Sequence, residues 1–251
     1  MLPFSRTARL RRIVADLHRI IDEVIDHCRT VSGDNIVACM QRHCSPEPDD
    51  IVLRSQVATF LLAGYETTAA ALAWVWYLLD RYPDKAARLR GELRAELAGR
   101  VPGLADVNRL SYTRAVVLES LRLFPPVWVL PRTAIHADTV SGFAVPPGTE
   151  VLISPYLIHR RADFWADPES FSPERFLEER LQPQSSYAYL PFGAGPRACI
   201  GAHTATVGAV LAVASLAQRF RLTRSGGSLL APQAQVSLFP GASLPMRVHR
   251  T

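Results

Sequence analysis

The residues best suited to chemistry lie near the C-terminus, in the run Phe192-Gly193-Ala194-Gly195-Pro196-Arg197-Ala198-Cys199-Ile200-Gly201. A single cysteine sits in a glycine-rich loop, with an arginine two residues before it and an apolar helical pattern directly after it. The thiolate is the metal-ligating form of cysteine, and a helix N-terminus favours negative charge. Glycines let the backbone approach something flat and bulky. Phe192 can shield the sulfur and Arg197 can meet an anionic group, so these parts suit a thiolate ligand to a haem iron whose propionates need cationic partners. The plainer alternative is a buried cysteine after a glycine turn, acting as a small apolar residue.

A second run, Ala63-Gly64-Tyr65-Glu66-Thr67-Thr68, falls in the middle of a long apolar helical pattern. Glycine there costs up to about 1 kcal/mol relative to alanine, and an acid and two hydroxyls in apolar surroundings need partners. Both oddities fit a helix that loosens to admit a ligand and relay protons, with Thr67 hydrogen-bonding a bound oxygen species and Glu66 passing protons from solvent. Thr67 bonded to the carbonyl four residues back, and Glu66 facing water, is the competing reading. Glu119 and Arg122 stand three apart on another helical stretch, where they can pair. The apolar flanks Val116-Val117-Leu118 and Leu123-Phe124 place that pair in an interior, where it needs further hydrogen bonds to offset desolvation. A lone arginine such as Arg132 in Leu130-Pro131-Arg132 is ordinarily a surface residue.

Taken together these runs resemble the cytochrome P-450 family. Phe192 to Gly201 matches that family's F-x-x-G-x-R-x-C-x-G loop at every fixed position, and Ala63 to Thr68 matches its A/G-G-x-D/E-T-T oxygen-activation motif. Glu119-Ser120-Leu121-Arg122 is similar to its E-x-x-R motif, and Pro173-Glu174-Arg175-Phe176 to its P-E-R-F pattern, whose arginine completes a network with the other two. The resemblance implies a haem-thiolate monooxygenase, an oxidoreductase acting on paired donors. Haem b (iron protoporphyrin IX) would be held by Cys199 as metal ligand and contacted by Ala63, Gly64, Arg132, Phe192, Gly193, Gly195, Arg197 and Gly201. Arg132 and Arg197 would meet the propionates, Glu66 and Thr67 would deliver protons, and Phe60, Val127, Trp128 and Val129 would line the pocket of a small apolar substrate, Trp128 being equally readable as packing. The other implied partners are O2 and an electron donor, either a ferredoxin or a flavoprotein reductase. Glu119, Arg122 and Arg175 would form a structural network behind the haem, and His159 is structural as well.

The elements that must position these groups read as one mainly α domain with small β-sheets over residues 1–251, a P-450-like fold lacking its N-terminal half. Residues 8–29 space their apolar side chains as an amphipathic helix, and 34–44 form a shorter one. Ser45-Pro46-Glu47-Pro48 breaks the pattern, and Asp49-Asp50 can cap the next helix. That helix runs to about Tyr82, which makes it roughly 50 Å long. Helices from Pro83 to about Leu97 and over 111–124 follow, the last stopped by Pro125-Pro126. Strands are expected over 127–134, 144–145 and 149–153, a helix over 200–219, and terminal strands over 219–224, 235–239 and 246–249.

Composition narrows the partners. Of 28 basic residues only Lys85 is a lysine, net charge is +5, and the arginines are scattered, which argues against nucleic-acid binding. A mildly positive surface suits an acidic electron-transfer partner. No run approaches the ~18 apolar residues of a membrane span, and no secretory core stands at the start, so a cytoplasmic location is expected. Cys28, Cys39 and Cys44 read as ordinary small apolar residues, Trp74 and Trp76 as helix or core contacts, and neither His159 nor His203 has a ligand-like setting. After the cysteine, Thr204-Ala205-Thr206-Val207-Gly208 stands where the family often has F-A-x-x-E. Two further readings stay open: a non-catalytic remnant that binds haem weakly or serves as an interaction module, and a haem-thiolate site driven by peroxide or catalysing isomerisation.

Overall fold

A computed structural model describes residues 6–31, 33–44, 49–177, 187–226, 230–241 and 243–250. The chain forms two compact units, Met1–Tyr65 and Glu66–Thr251. No helix among the described residues is long and apolar enough to cross a membrane.

The first unit holds α1 (Arg6–Thr30), α2 (Ile36–His43) and the start of α3 (Asp50–Arg81). Its core is small: Ile21 and Ile25 of α1, Val37 of α2, and Leu53 and Val57 of α3. Polar contacts set the register of these helices. Asn35 caps α2 by accepting from the Ala38 amide at 2.9 Å, and its own amide donates to the Cys28 carbonyl at 2.9 Å. Asp49 caps α3 through the Val52 N–H at 2.8 Å, the role expected for the Asp49-Asp50 pair. Arg54 grips Asp22 with two bonds, 2.6 Å and 3.1 Å long. The proline-rich break at 45–48 lies outside the described residues.

In the second unit the remainder of α3 is followed by α4 (Pro83–Leu97) and α5 (Ser111–Leu123). Then come β1 (Leu130–Thr133), β2 (Asp138–Val140), β3 (Phe143–Val145), β4 (Glu150–Ile153) and the one-turn α6 (Pro155–Ile158). The chain ends with α7 (Ala202–Ala217), β5 (Phe220–Arg224), β6 (Gln233–Ala234), β7 (Leu238–Phe239) and β8 (Met246–Arg250). The strands form four two-stranded antiparallel sheets, β1 with β4, β2 with β3, β5 with β8 and β6 with β7. Helices α3, α4, α5 and α7 enclose the main core. Trp74 is fully buried there and stacks on Phe124, while its indole N–H donates to the Leu238 carbonyl at 2.8 Å. Helix α5 begins at Leu110, a residue with no capping side chain. Glu92 of α4 supplies the cap instead. It accepts from the Tyr112 amide at 2.6 Å, from the Thr113 amide at 2.9 Å and from the Thr113 hydroxyl at 2.7 Å.

Two expectations need correction. The strand expected over 127–134 begins only at Leu130, because the Trp128 carbonyl is taken by the Ser154 hydroxyl at 2.9 Å rather than by a strand partner. The strand expected over 235–239 is a tight hairpin, in which residues 235–237 turn between β6 and β7 and Gln235 N–H donates to the Ser237 carbonyl at 3.2 Å. Helix α3 is α-helical without interruption through Gly64, and Leu61, Leu62 and Tyr65, in its part of the first unit, are exposed.

Candidate active site

The cysteine loop closes on itself. The Cys199 N–H donates to the Phe192 carbonyl at 2.8 Å, Gly193 N–H to the Leu190 carbonyl at 3.1 Å, and Ala198 N–H to the Gly195 carbonyl at 3.0 Å. Gly193 and Gly195 adopt φ of +69° and +71°, a left-handed backbone that side-chain-bearing residues resist. A β-carbon on Gly201 would stand 3.8 Å from the Cys199 sulfur, so the thiol lies against that glycine. Phe192 packs on the main core, whereas Pro196, Arg197, Cys199 and Ile200 are exposed, Ile200 at 87%. The chain then enters α7, whose 16 residues start three positions after the cysteine.

Beside this loop a cavity of about 350 Å³ is lined by Leu130 and Arg132 of β1, Ile153 of β4, and Leu190, Ala194 and Gly195 of the loop. The Arg132 guanidinium donates to the Pro131 carbonyl at 2.8 Å, and among the described residues no carboxylate pairs with Arg132 or Arg197. No cluster of three or more His, Cys, Asp or Glu side chains is placed to cage a metal ion among the described residues. A lone exposed thiol, two uncompensated arginines and an apolar cavity match a metal whose remaining ligands come with a flat anionic macrocycle. The residues present fit haem.

Glu119, Arg122 and Arg175 do come together. Arg122 and Glu119 have fully buried side chains and share two hydrogen bonds, 2.7 Å and 2.8 Å long. Arg122 donates further to the carbonyls of His159 at 2.8 Å, Pro168 at 2.7 Å and Ser170 at 3.0 Å, so each of its five N–H groups is used. Glu119 also accepts from the Ser172 amide at 2.9 Å, and Arg175 approaches it to 3.4 Å while donating to the Asp167 carbonyl.

His159 is the partner that motif reading did not connect. It is fully buried, with Nδ1 3.0 Å from the Arg122 carbonyl and Nε2 accepting the Leu190 N–H at 2.7 Å. It thereby ties the end of α5 to the strap that leads into the cysteine loop. Burial lowers its pKa to about 4, so the ring is neutral, with its proton on Nδ1. Tyr189 adds a second tie, its hydroxyl donating to the Leu118 carbonyl at 2.8 Å. A histidine directly after the apolar pair Leu157-Ile158 was the available signal; its partners are far away in sequence.

The other expected site residues are placed as follows. Glu66 and Thr67 are half-buried on successive positions of α3, in the same compact unit as the cysteine loop. Phe60, Ala63 and Gly64 belong to the first unit; Phe60 is 40% exposed, and a β-carbon on Gly64 would meet nothing within 4 Å. Val127, Trp128 and Val129 do not line the 350 Å³ cavity, whose wall starts at Leu130. The Trp128 indole N–H instead donates to the Gln235 carbonyl at 3.0 Å, the packing role held open for it.

Comparison with known proteins bears on the same geometry. The family model described as Cytochrome P450 matches residues 2–242. The chain is 40% identical to a protein named cyclooctatin synthase from Streptomyces melanosporofaciens, over 98% of this chain and 55% of that protein. It is 39% identical to cyclooctat-9-en-7-ol 5-monooxygenase of the same organism, over 91% of this chain and 51% of that protein. It is 30% identical to pentalenene oxygenase of Streptomyces avermitilis, over 98% of this chain and 56% of that protein. Among solved structures, a cytochrome P450 (CYP102L1) superposes with a TM-score of 0.87 at 29% identity, covering 98% of this chain and 58% of the other. The chain thus spans about half the length of the curated relatives it matches. With a matching family model across nearly its whole length and the cysteine loop and buried Glu-Arg-Arg network in place, the chain belongs to the cytochrome P450 family.

Proposed function

We infer that this chain carries the haem-binding part of a monooxygenase that inserts one atom of O2 into an apolar organic substrate. The observation that carries this reading is the exposed Cys199 thiol on a closed glycine loop, beside an apolar cavity and two arginines without carboxylate partners. Bound haem b would supply O2 activation with electrons from a ferredoxin or flavoprotein reductase. Cys199 would be the metal ligand. The glycines at 193 and 195 would let the loop backbone approach bound haem, and Arg132 and Arg197 would meet its propionates. Glu66 and Thr67, on successive positions of α3, would hold and move a proton. An apolar, ring-containing substrate is supported by the names of the relatives, one an oxygenase of pentalenene and another acting on cyclooctat-9-en-7-ol.

Reconstitution with hemin, reduction and addition of carbon monoxide test the assignment. A strongly red-shifted Soret band is expected, lost in Cys199→Ala and kept in Cys39→Ala. An intact chain that binds hemin without that band refutes thiolate ligation. The half-length coverage of the relatives favours one second reading, a chain that holds haem without turnover. Stable haem with no product from any apolar substrate, given O2 and a reductase, would select it.

A further inference from the structure

Away from the cysteine loop, α3, α4, α7 and β5 surround a second cavity of about 90 Å³. Trp76, Leu89, Phe220 and Leu222 make its walls apolar, and two arginines, the half-buried Arg90 and the exposed Arg221, are among the residues that border it. None of the residues assigned to haem or to proton delivery takes part in it. Among the described residues neither Arg90 nor Arg221 forms an ion pair, nor does the nearby Arg94. The one acid on the cavity wall, Asp80, is already engaged, accepting from the Arg224 amide at 3.2 Å and from its guanidinium at 2.8 Å. Burial, with Arg221 and Arg94 close by, lowers the Arg90 pKa, the signature of a partly desolvated cation among like charges. Charge partly removed from water, as at the half-buried Arg90, is costly without a counter-ion, while the exposed Arg221 beside it leaves the bordering cations open to an anion from solvent.

We propose that this cavity binds a small organic monocarboxylate, its carboxylate bridging Arg90 and Arg221 and its short apolar tail against Trp76, Leu89 and Phe220. Guanidinium groups take planar carboxylates through paired N–H bonds. The volume is smaller than the roughly 150 Å³ that admits benzene, so the tail is limited to a few carbons. Phosphate has no apolar tail to set against these walls. The apolar wall favours a tailed anion over chloride.

The test is a thermal unfolding series of the full chain with sodium butyrate, sodium phosphate or sodium chloride at equal ionic strength. Butyrate at tenfold excess over its Kd is expected to raise Tm saturably by roughly 3–6 °C over chloride. The shift should vanish in Arg90→Met and in Arg221→Met, remain in Arg12→Met, and vanish in Ala217→Leu, which fills the cavity but keeps both arginines. Without butyrate, Arg90→Met should melt no lower than the unmodified chain, because it removes repulsion. No butyrate shift, equal shifts with all three salts, or a butyrate shift that survives in both arginine variants overturns the proposal. No haem is needed for this readout, so its result is independent of the monooxygenase reading.

Discussion

Arg122→Lys is the sharpest test of what holds the core behind the cysteine loop. The substitution keeps a positive charge opposite Glu119 and removes the fork. Five N–H donors in the native protein meet five acceptors, at distances of 2.7 Å to 3.0 Å, with both side chains fully buried. A lysine ammonium has three donors, so at least two of those acceptors lose their partners. Each buried acceptor left unsatisfied costs about 1–3 kcal/mol, which sets the loss at roughly 2–6 kcal/mol against a total stability of about 5–15 kcal/mol for a typical domain. Arg122→Ala goes further: it leaves Glu119 with only Arg175 at 3.4 Å and the Ser172 N–H, a loss of up to about 3–5 kcal/mol, and frees three carbonyls, enough to abolish folding. Urea titration followed by tryptophan fluorescence measures this directly, since the Trp165 ring lies 5.2 Å from the Arg122 guanidinium. Arg88→Lys is the comparison. Its 2.8 Å pair with Glu174 is largely solvated, with the Arg88 side chain 52% exposed. The cost there should stay under about 1 kcal/mol. An Arg122→Lys chain within about 1 kcal/mol of the unmodified protein would refute the idea that the full set of donors, rather than the charge alone, is required.

The remaining predictions concern pH and the loop backbone. The unfolded chain protonates His159 near pH 6.5, while the folded ring resists to about pH 4, so the unfolded state binds more protons in between. The stability this histidine contributes is complete above pH 6.5 and drains as pH falls to about 4, by roughly 3 kcal/mol in all. Urea midpoints should show that component in the unmodified chain and lack it in His159→Phe. Gly193→Ala and Gly195→Ala put a β-carbon on left-handed backbone, where φ is +69° and +71°. Each should cost about 1–2 kcal/mol. At Gly193 the added carbon meets only ordinary contacts, the nearest 3.8 Å away. The loss there therefore comes from the backbone alone, and Gly193→Asn should recover part of it in thermal melts.

What could be read from the residues depended on whether the signal was local. The helix at 111–124 was legible because its apolar spacing ends on two prolines, and Glu119 with Arg122 could be placed on one face of it. Arg175 could be joined to them only through the family pattern, since it stands 53 positions beyond Arg122 and no periodicity spans that gap. His159 was legible as structural but its bonds were not, because its partners are backbone groups of Arg122 and Leu190, and backbone groups leave no trace in side-chain identity. The cap of α5 was hidden for a similar reason: it comes from Glu92 on another helix, where a search for Ser, Thr, Asp or Asn at the boundary finds Leu110. The small sheets were misjudged at their edges. Two-residue strands such as β6 and β7 are defined by pairing, and apolar runs like Val127-Trp128-Val129 read as strand until a side chain, Ser154, takes the carbonyl that a ladder would need.

The buried network and the exposed loop therefore do different jobs. Arg122 commits all its donors inside the chain, and His159 carries that order to Leu190, whose carbonyl in turn accepts from Gly193 at the start of the cysteine loop. The loop is closed by the Cys199–Phe192 bond, with its thiol exposed. The chemistry of the loop is correspondingly separable from the stability of its support. Replacing the Cys199 sulfur changes an exposed position that the core does not use, and on the proposed reading removes the metal ligand, whereas replacing Arg122 removes the support while leaving the groups proposed to touch haem in place.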